Sequence, residues 1–171
     1  AQINTKEYFE AQRTLKFAMG LNSALPETFE AQSVKTRILF HLADLECQVG
    51  LYESAAGTAK RGLKAVQETV VASQMPYTEC ELLNLNALTR ALQGYPKESA
   101  EPLKEASYIV EALRDPPSEV LIPGSNVAAN KDLMNAKLLH TRAQGAYYEG
   151  RKSESDRLKR EAARECRRCP D

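Results

Sequence analysis

Two histidines, four cysteines and scattered carboxylates are the groups through which this chain could do chemistry. Catalysis needs groups that converge on one point and whose pKa values are pulled apart. His41 and His140 each stand among apolar residues in a helical pattern. A hydrogen-bonded or solvent-facing ring is the ordinary outcome there. The stretch HLAD sets His41 and Asp44 three residues apart on one helical face, a spacing suited to one hydrogen bond. Two groups do not make a metal site, and the CRRC pair at Cys166 and Cys169 supplies only half of a tetrahedral one. A redox C-x-x-C would open a helix beside a sheet, whereas this one closes a charged helix just before Pro170. The chain has no G-x-S-x-G elbow, no phosphate-cradling G-x-x-x-x-G-K-[ST] and no H-E-x-x-H. No catalytic residue, metal ligand or cofactor is therefore assigned. The expectation is a protein that is not an enzyme.

Charge excludes further classes. The 171 residues carry 23 basic and 23 acidic side chains, so the molecule as a whole sets up no field for a polyanion. Basic residues do gather at the end, eight against four acidic ones between Arg151 and Arg168. A nucleic-acid adaptor working through this last helix stays open as an alternative. Aromatic residues for base stacking are absent after Tyr148, and Glu154, Asp156, Glu161 and Glu165 interrupt the basic run. Alternating signs ordinarily mark a solvated helix face. No apolar run is long enough to cross a bilayer, and no leader pattern opens the chain. Four cysteines do not form a disulfide framework at this length. Cys47 and Cys80 lie inside helical patterns, where a reduced thiol behaves as a small hydrophobe. A cytoplasmic chain is expected. Its start at Ala1 fits a processed protein or a piece of a longer one.

The elements that would position anything are helices. Ala and Leu dominate, aromatics make up 6% and Trp is absent, a composition that leans to helix. The first helix opens near Asn4, with Glu7 as a capping-box partner, and frays between Gly20 and Ser23. Pro26 suits the first turn of a second helix that Gly50 stops. In it, Ile38, Leu42, Leu45 and Val49 form one stripe and Leu39, Ala43 and Cys47 another, so the helix is covered on two sides. A third helix, from Tyr52 to about Gln74, has one thinner face of Ala55, Ala59, Leu63, Val66 and Val70. Pro76 breaks it. Thr78 and Glu81 form a second capping-box pattern for the fourth helix, whose Leu82, Leu83, Leu85, Leu88, Ala91 and Leu92 again spread over two faces. Gly94 closes it, Pro96 opens the fifth, and Asp115–Pro117 ends that. Residues 116–129 read as an irregular loop. Asn130 caps a sixth helix with Leu133, Met134, Leu138, Leu139, Ala143 and Tyr147 inward, and a charged seventh helix follows Gly150.

A piece made of Gly, a short polar turn and Glu-Ser recurs at QVGLYESAA, GYPKESAEP and YEGRKSESDRL. Each sits between a thick helix and a thin one. The Gly suits the left-handed residue that ends the first helix. A small residue, Ala55, Ala100 or Ser155, lets the second helix approach. Recurrence of this kind marks a helical repeat array.

These residues resemble the tetratricopeptide repeat family. In the first hairpin Leu39, Leu42, Ala43, Gly50, Tyr52, Ala55 and Ala59 follow the family's order of large, large, small, Gly, aromatic, small, small. The second matches at Ala87 or Leu88, Gly94 or Tyr95, and Ala100, with a one-residue slip at the turn. The third matches at Leu139, Ala143, Gly150, Ser155 and Ala162, with Lys152 where an aromatic belongs. The resemblance implies an all-α fold of about seven helices, antiparallel hairpins stacked as a right-handed solenoid. As a single domain over 1–171 it divides into a leading helix (1–24), hairpins at 27–74 and 77–114, a loop at 115–129 and a third hairpin at 130–168.

The resemblance also implies a partner surface along the first helix of each hairpin. Arg37, Phe40, Asp44 and Gln48 would line it in the first repeat, and Lys137, His140, Gln144 and Tyr148 in the third. The middle repeat would offer Leu85 and Thr89, or Asn84 and Leu88 if the slip is real. The family's carboxylate clamp is missing, because Phe40 and Asp44 stand where its cation and amide belong. The expected role is a scaffold or adaptor for another protein's peptide or helix, with no small-molecule substrate, no membrane and no nucleic acid. A structural segment of a longer solenoid inside a large assembly is the alternative, and a contiguous apolar patch at either end would favour it.

Overall fold

The computed structural model describes residues 5–67, 75–113 and 131–167, and among these every regular element is a helix. Seven α-helices follow in order: α1 (Thr5–Ser23), α2 (Phe29–Gln48), α3 (Tyr52–Gln67), α4 (Pro76–Leu92), α5 (Ala100–Ala112), α6 (Lys131–Tyr148) and α7 (Lys152–Cys166). The expected continuation of α3 to Gln74, the loop at 115–129 and the Asn130 cap lie outside the described residues.

The three turn glycines do what the recurrence requires. Gly50, Gly94 and Gly150 have φ of 84°, 83° and 79°, a region where a side chain would be strained. Each closes its helix with the same two backbone bonds. Gly50 N–H donates to Cys47 O at 3.1 Å and Leu51 N–H to Glu46 O at 2.9 Å. Gly94 with Tyr95, and Gly150 with Arg151, repeat the pattern onto Ala91 and Arg90, and onto Tyr147 and Ala146. This is the Schellman closure, which satisfies the last carbonyls of a helix and turns the chain back. So α2 pairs with α3, α4 with α5 and α6 with α7, and each pair packs along its length.

Successive pairs then stack. α4 touches α2, α3, α5 and α6, and Cys80, Leu82, Ala87 and Ala91 are wholly buried around its circumference. Its two apolar stripes are thus covered from two sides, as expected. In α2, Ile38, Leu39, Leu42, Ala43, Leu45 and Cys47 are buried, between α1, α3 and α4. α3 buries the thinner face, Ala55, Ala59, Leu63 and Val66. Gly62 of α3 is part of how closely the pairs approach. A Cβ there would meet Leu82 Cδ2 of α4 at 2.8 Å.

Several boundaries differ from expectation. Thr28 caps α2 by accepting from Ala31 N–H at 3.2 Å, so Pro26 lies in the preceding turn. Pro76 starts α4 rather than only breaking α3, and Thr78 is an interior helical residue with no capping role. A 3-10 turn, Pro96–Ser99, precedes α5, and it shifts the close-approach position. Ser99 is buried while Ala100 is exposed. Tyr147 is exposed because Ala146 takes the inward position beside Ala143.

Candidate binding groove

With Gly50, Gly94 and Gly150 as origin, the slip in the second repeat is resolved. Ten residues before each glycine stand Phe40, Asn84 and His140, and thirteen before stand Arg37, Glu81 and Lys137. Most of these converge. Phe40 and Asp44 of α2, Glu81, Asn84, Leu85 and Leu88 of α4, and Lys137, His140 and Thr141 of α6 line one groove of about 610 Å³. α7 closes its far wall with Lys159, Ala162, Ala163 and Cys166.

Helix spacing explains the convergence. Residues three and four apart share a helix face, so Glu81, Asn84, Leu85 and Leu88 form one stripe on α4. Phe40 and Asp44 do so on α2, and Lys137, His140 and Thr141 on α6. The floor is tied down by buried polar bonds. Thr141 Oγ1 donates to Asn84 Oδ1 at 2.7 Å, and Lys137 Nζ pairs with Glu81. That pair corrects the expected capping role of Glu81 and removes a free charge from the groove. On the rim, Gln48 Nε2 donates to Asp44 Oδ2 at 2.7 Å, in place of the His41–Asp44 bond that HLAD offered. His41 is exposed and lies edge-on to Phe40, ring centroids 5.2 Å apart. Beside Asp44, His140 and Lys159, the groove presents the Phe40 ring, Leu88 and Ala163 as apolar surface.

His140 is the titratable group of the wall. The residue keeps a solvent-exposed side, and its partial burial lowers its pKa below the ordinary imidazole value, with the Lys159 ammonium adding to the shift. Gln144 Nε2 lies 3.4 Å from its Nε2. Beside the paired Lys137 and Glu81, the groove offers apolar contact at Phe40 and Leu88.

Of the sequence-derived site residues, Phe40, Asp44, Lys137 and His140 meet at this groove. Arg37 is half-buried on α2, Gln48 is exposed, Gln144 half-buried and Tyr148 exposed, and none of these lines the cavity. Tyr148 instead meets the edge of Tyr147, centroids 5.6 Å apart. Thr89 is corrected. It is wholly buried, with Oγ1 donating to Asn86 O at 2.8 Å. Glu81 and the α7 wall were not anticipated. Counting from the glycines reaches Glu81, but no repeat of types flags α7.

No family model, no curated protein and no solved structure matches this chain. The groove must therefore be read from its own chemistry. Among the described residues no three His, Cys, Asp or Glu side chains gather as a metal site, and no helix is long and apolar enough to cross a membrane. Cys166 is exposed on the groove wall, while Cys169 lies outside the described residues. A second cleft of about 740 Å³ lies between α5, α6 and α7. Its walls mix both signs. Arg151 is held by Glu149 and Glu154, and Arg142 Nη2 donates to Ser107 Oγ at 2.6 Å. Lys97, Lys104 and Glu111 also line this cleft, so its walls are more highly charged than those of the groove at Phe40 and Leu88.

Proposed function

We propose that this protein is a non-enzymatic interaction scaffold whose hairpins stack as a right-handed, tetratricopeptide-like solenoid. Its groove takes a helix or extended segment of another protein. The observation that carries the reading is the register common to the three turn glycines. It sets α4 between α2 and α6 and brings Phe40 of α2, Leu88 of α4 and His140 of α6 to a single groove. A groove of several hundred cubic ångströms with a charge-neutralised floor suits apolar anchors at helical spacing. No cofactor, small-molecule substrate or membrane enters this reading. Nucleic acid is left out because the basic residues of α7 alternate with acids, as in the Arg157–Glu161 pair at 3.2 Å.

The test is selection of binders from displayed libraries of helical and of extended peptides, followed by affinity measurement and amide-shift mapping. Selected peptides should shift residues around Phe40, Leu88 and His140. Phe40→Ala and Leu88→Arg should each weaken binding about tenfold or more, as hot-spot losses do. Lys60→Ala, on the exposed side of α3, should change nothing. Binders that ignore both groove substitutions would remove the proposal. A second reading, a structural segment within a larger assembly, draws on the outer face of α1.

A further inference from the structure

We infer that the outer face of α1 is a self-association surface, and that it joins two copies of this chain antiparallel about a two-fold axis. The helix has two opposed faces, each about 120° wide at 100° per residue. One holds Tyr8, Ala11, Leu15, Ala18, Met19 and Asn22, all buried or half-buried. It is fixed on α2, where Asn22 Nδ2 donates to Ala31 O at 3.0 Å. The opposite face holds Phe9, Glu10, Arg13, Phe17, Gly20 and Leu21, and all six are exposed. Phe9 is 60%, Phe17 68% and Leu21 58% accessible, with Leu25 at 58% just beyond the helix end. Three large apolar side chains sharing one exposed face are the mark of an interface. Gly20 adds an independent sign. A glycine inside a helix costs about 1 kcal/mol against alanine, and here nothing lies within 4 Å of where its Cβ would be. Among the described residues no contact calls for it, whereas a neighbouring helix would gain close approach.

The pattern on this face selects its occupant. In an antiparallel pair with the axis level with residue 15, Phe9 meets Leu21 of the second copy, and Arg13 lies over its Phe17. Glu10 meets its Gly20, and every contact occurs twice, as a two-fold interface requires. All three apolar residues are covered, and each guanidinium lies on an aromatic face. A parallel pair would set Glu10 on Glu10 and Arg13 on Arg13. An antiparallel pair centred on residue 13 would also oppose the two arginines and leave Leu21 outside the apolar contact. The face covers about 500 Å² on each copy, given aromatic side chains of 150–250 Å². The total of about 1,000 Å² falls at the low end for specific complexes. A contact of this size belongs with the weak, transient interfaces. The surface is separate from the groove and stands or falls independently of it.

Sedimentation equilibrium of the whole chain from about 5 to 500 μM, under reductant so that Cys166 forms no cross-link, tests the inference. A monomer–dimer equilibrium in that range is expected. Phe17→Glu should abolish it while leaving helicity and thermal midpoint within error of wild type. Arg13→Ala should weaken it two- to fivefold, the loss of one exposed cation–π contact per side. Tyr108→Ala, on an exposed part of α5, should leave it unchanged. A monomer throughout the range would overturn the inference and leave a different partner as the occupant of this face. Dimers that survive Phe17→Glu would overturn it too, and tighter dimers with Arg13→Ala would overturn the register.

Discussion

Thr141 of α6 donates its hydroxyl to Asn84 Oδ1 of α4 at 2.7 Å, in a setting where Asn84 is 7% and Thr141 0% exposed. The bond joins the second and third hairpins directly beneath the groove, so it fixes the register in which α6 lies on α4. Burying either group without the other is expensive, whereas replacing both is cheap. Thr141→Val should therefore cost about 1–3 kcal/mol and Asn84→Leu less, because a threonine hydroxyl can turn to its own helix carbonyls. The double variant should be more stable than Thr141→Val alone. Urea denaturation of the four proteins measures the cycle, and a neutral Thr141→Val would show that the bond does not hold the hairpins in register.

Gly62 and Leu82 make the analogous contact between the first and second hairpins, in apolar terms. Gly62→Ala gains about 1 kcal/mol of helix propensity, but its Cβ would lie 2.8 Å from Leu82 Cδ2. Leu82 is wholly buried, and overpacking of this kind costs about 1–3 kcal/mol. The single substitution should be destabilising. Leu82→Ala alone should cost about 2–5 kcal/mol, and in that background Gly62→Ala should become stabilising. The change of sign in chemical denaturation is the readout.

Much of this stacking is legible in the sequence because it rests on residue types that have few substitutes. A glycine with positive φ at 50, 94 and 150 closes each hairpin, and two apolar stripes on α2 and α4 call for cover on two sides. The second turn stays open by one residue in the sequence, because Glu-Ser has no fixed geometric duty and does not mark the register there. The 3-10 turn at Pro96 moves Ser99 into the place of Ala55 and Ser155. The same slip brings Asn84 and Leu88 to the groove beside Leu85 and puts Thr89 in the core. The α7 wall of the groove was not legible. Lys159, Ala162 and Cys166 reach it through how the third hairpin lies on the second, a long-range consequence that no local pattern records.

Cys47 and Cys80 make the core sensitive to alkali. Burial pushes the Cys80 thiol up to about 12, with the Glu81 carboxylate adding to the shift, and pushes Cys47 to about 11, helped by Asp44. An unfolded thiol titrates near 8.5. Below that value both states hold the proton and stability is unaffected. Above it the unfolded chain loses the proton while the folded one keeps it, so stability falls as pH rises from about 9 towards each folded value. Each thiol contributes a slope of about 1.4 kcal/mol per pH unit. Cys80→Ala should lower stability at pH 7 yet flatten the decline between pH 9 and 11 by that one-proton slope. Urea midpoints across the range measure it, and parallel curves for the two proteins would refute the assignment.

His140 titrates with the opposite sign and reports on the groove itself. Its pKa is lowered by burial first and by Lys159 second, so the folded chain resists a proton that the unfolded chain accepts near pH 6.5. Its contribution to stability is complete above that value and is lost as pH falls through it towards the folded pKa. Lys159→Gln should raise the His140 pKa by removing the ammonium, but not to the ordinary value, because burial remains. Lys159 Nζ also lies 5.6 Å over the Tyr147 ring, so the Tyr147 ring resonances should shift in the same variant. Imidazole titration by NMR separates the two causes. A pKa that stays unchanged in Lys159→Gln would mean that α7 does not close the groove wall, and with it would go the claim that the cavity is bounded on that side. An apolar segment bound in the groove would bury the ring further and lower its pKa again. The titration therefore doubles as a site-specific readout for peptides recovered by selection.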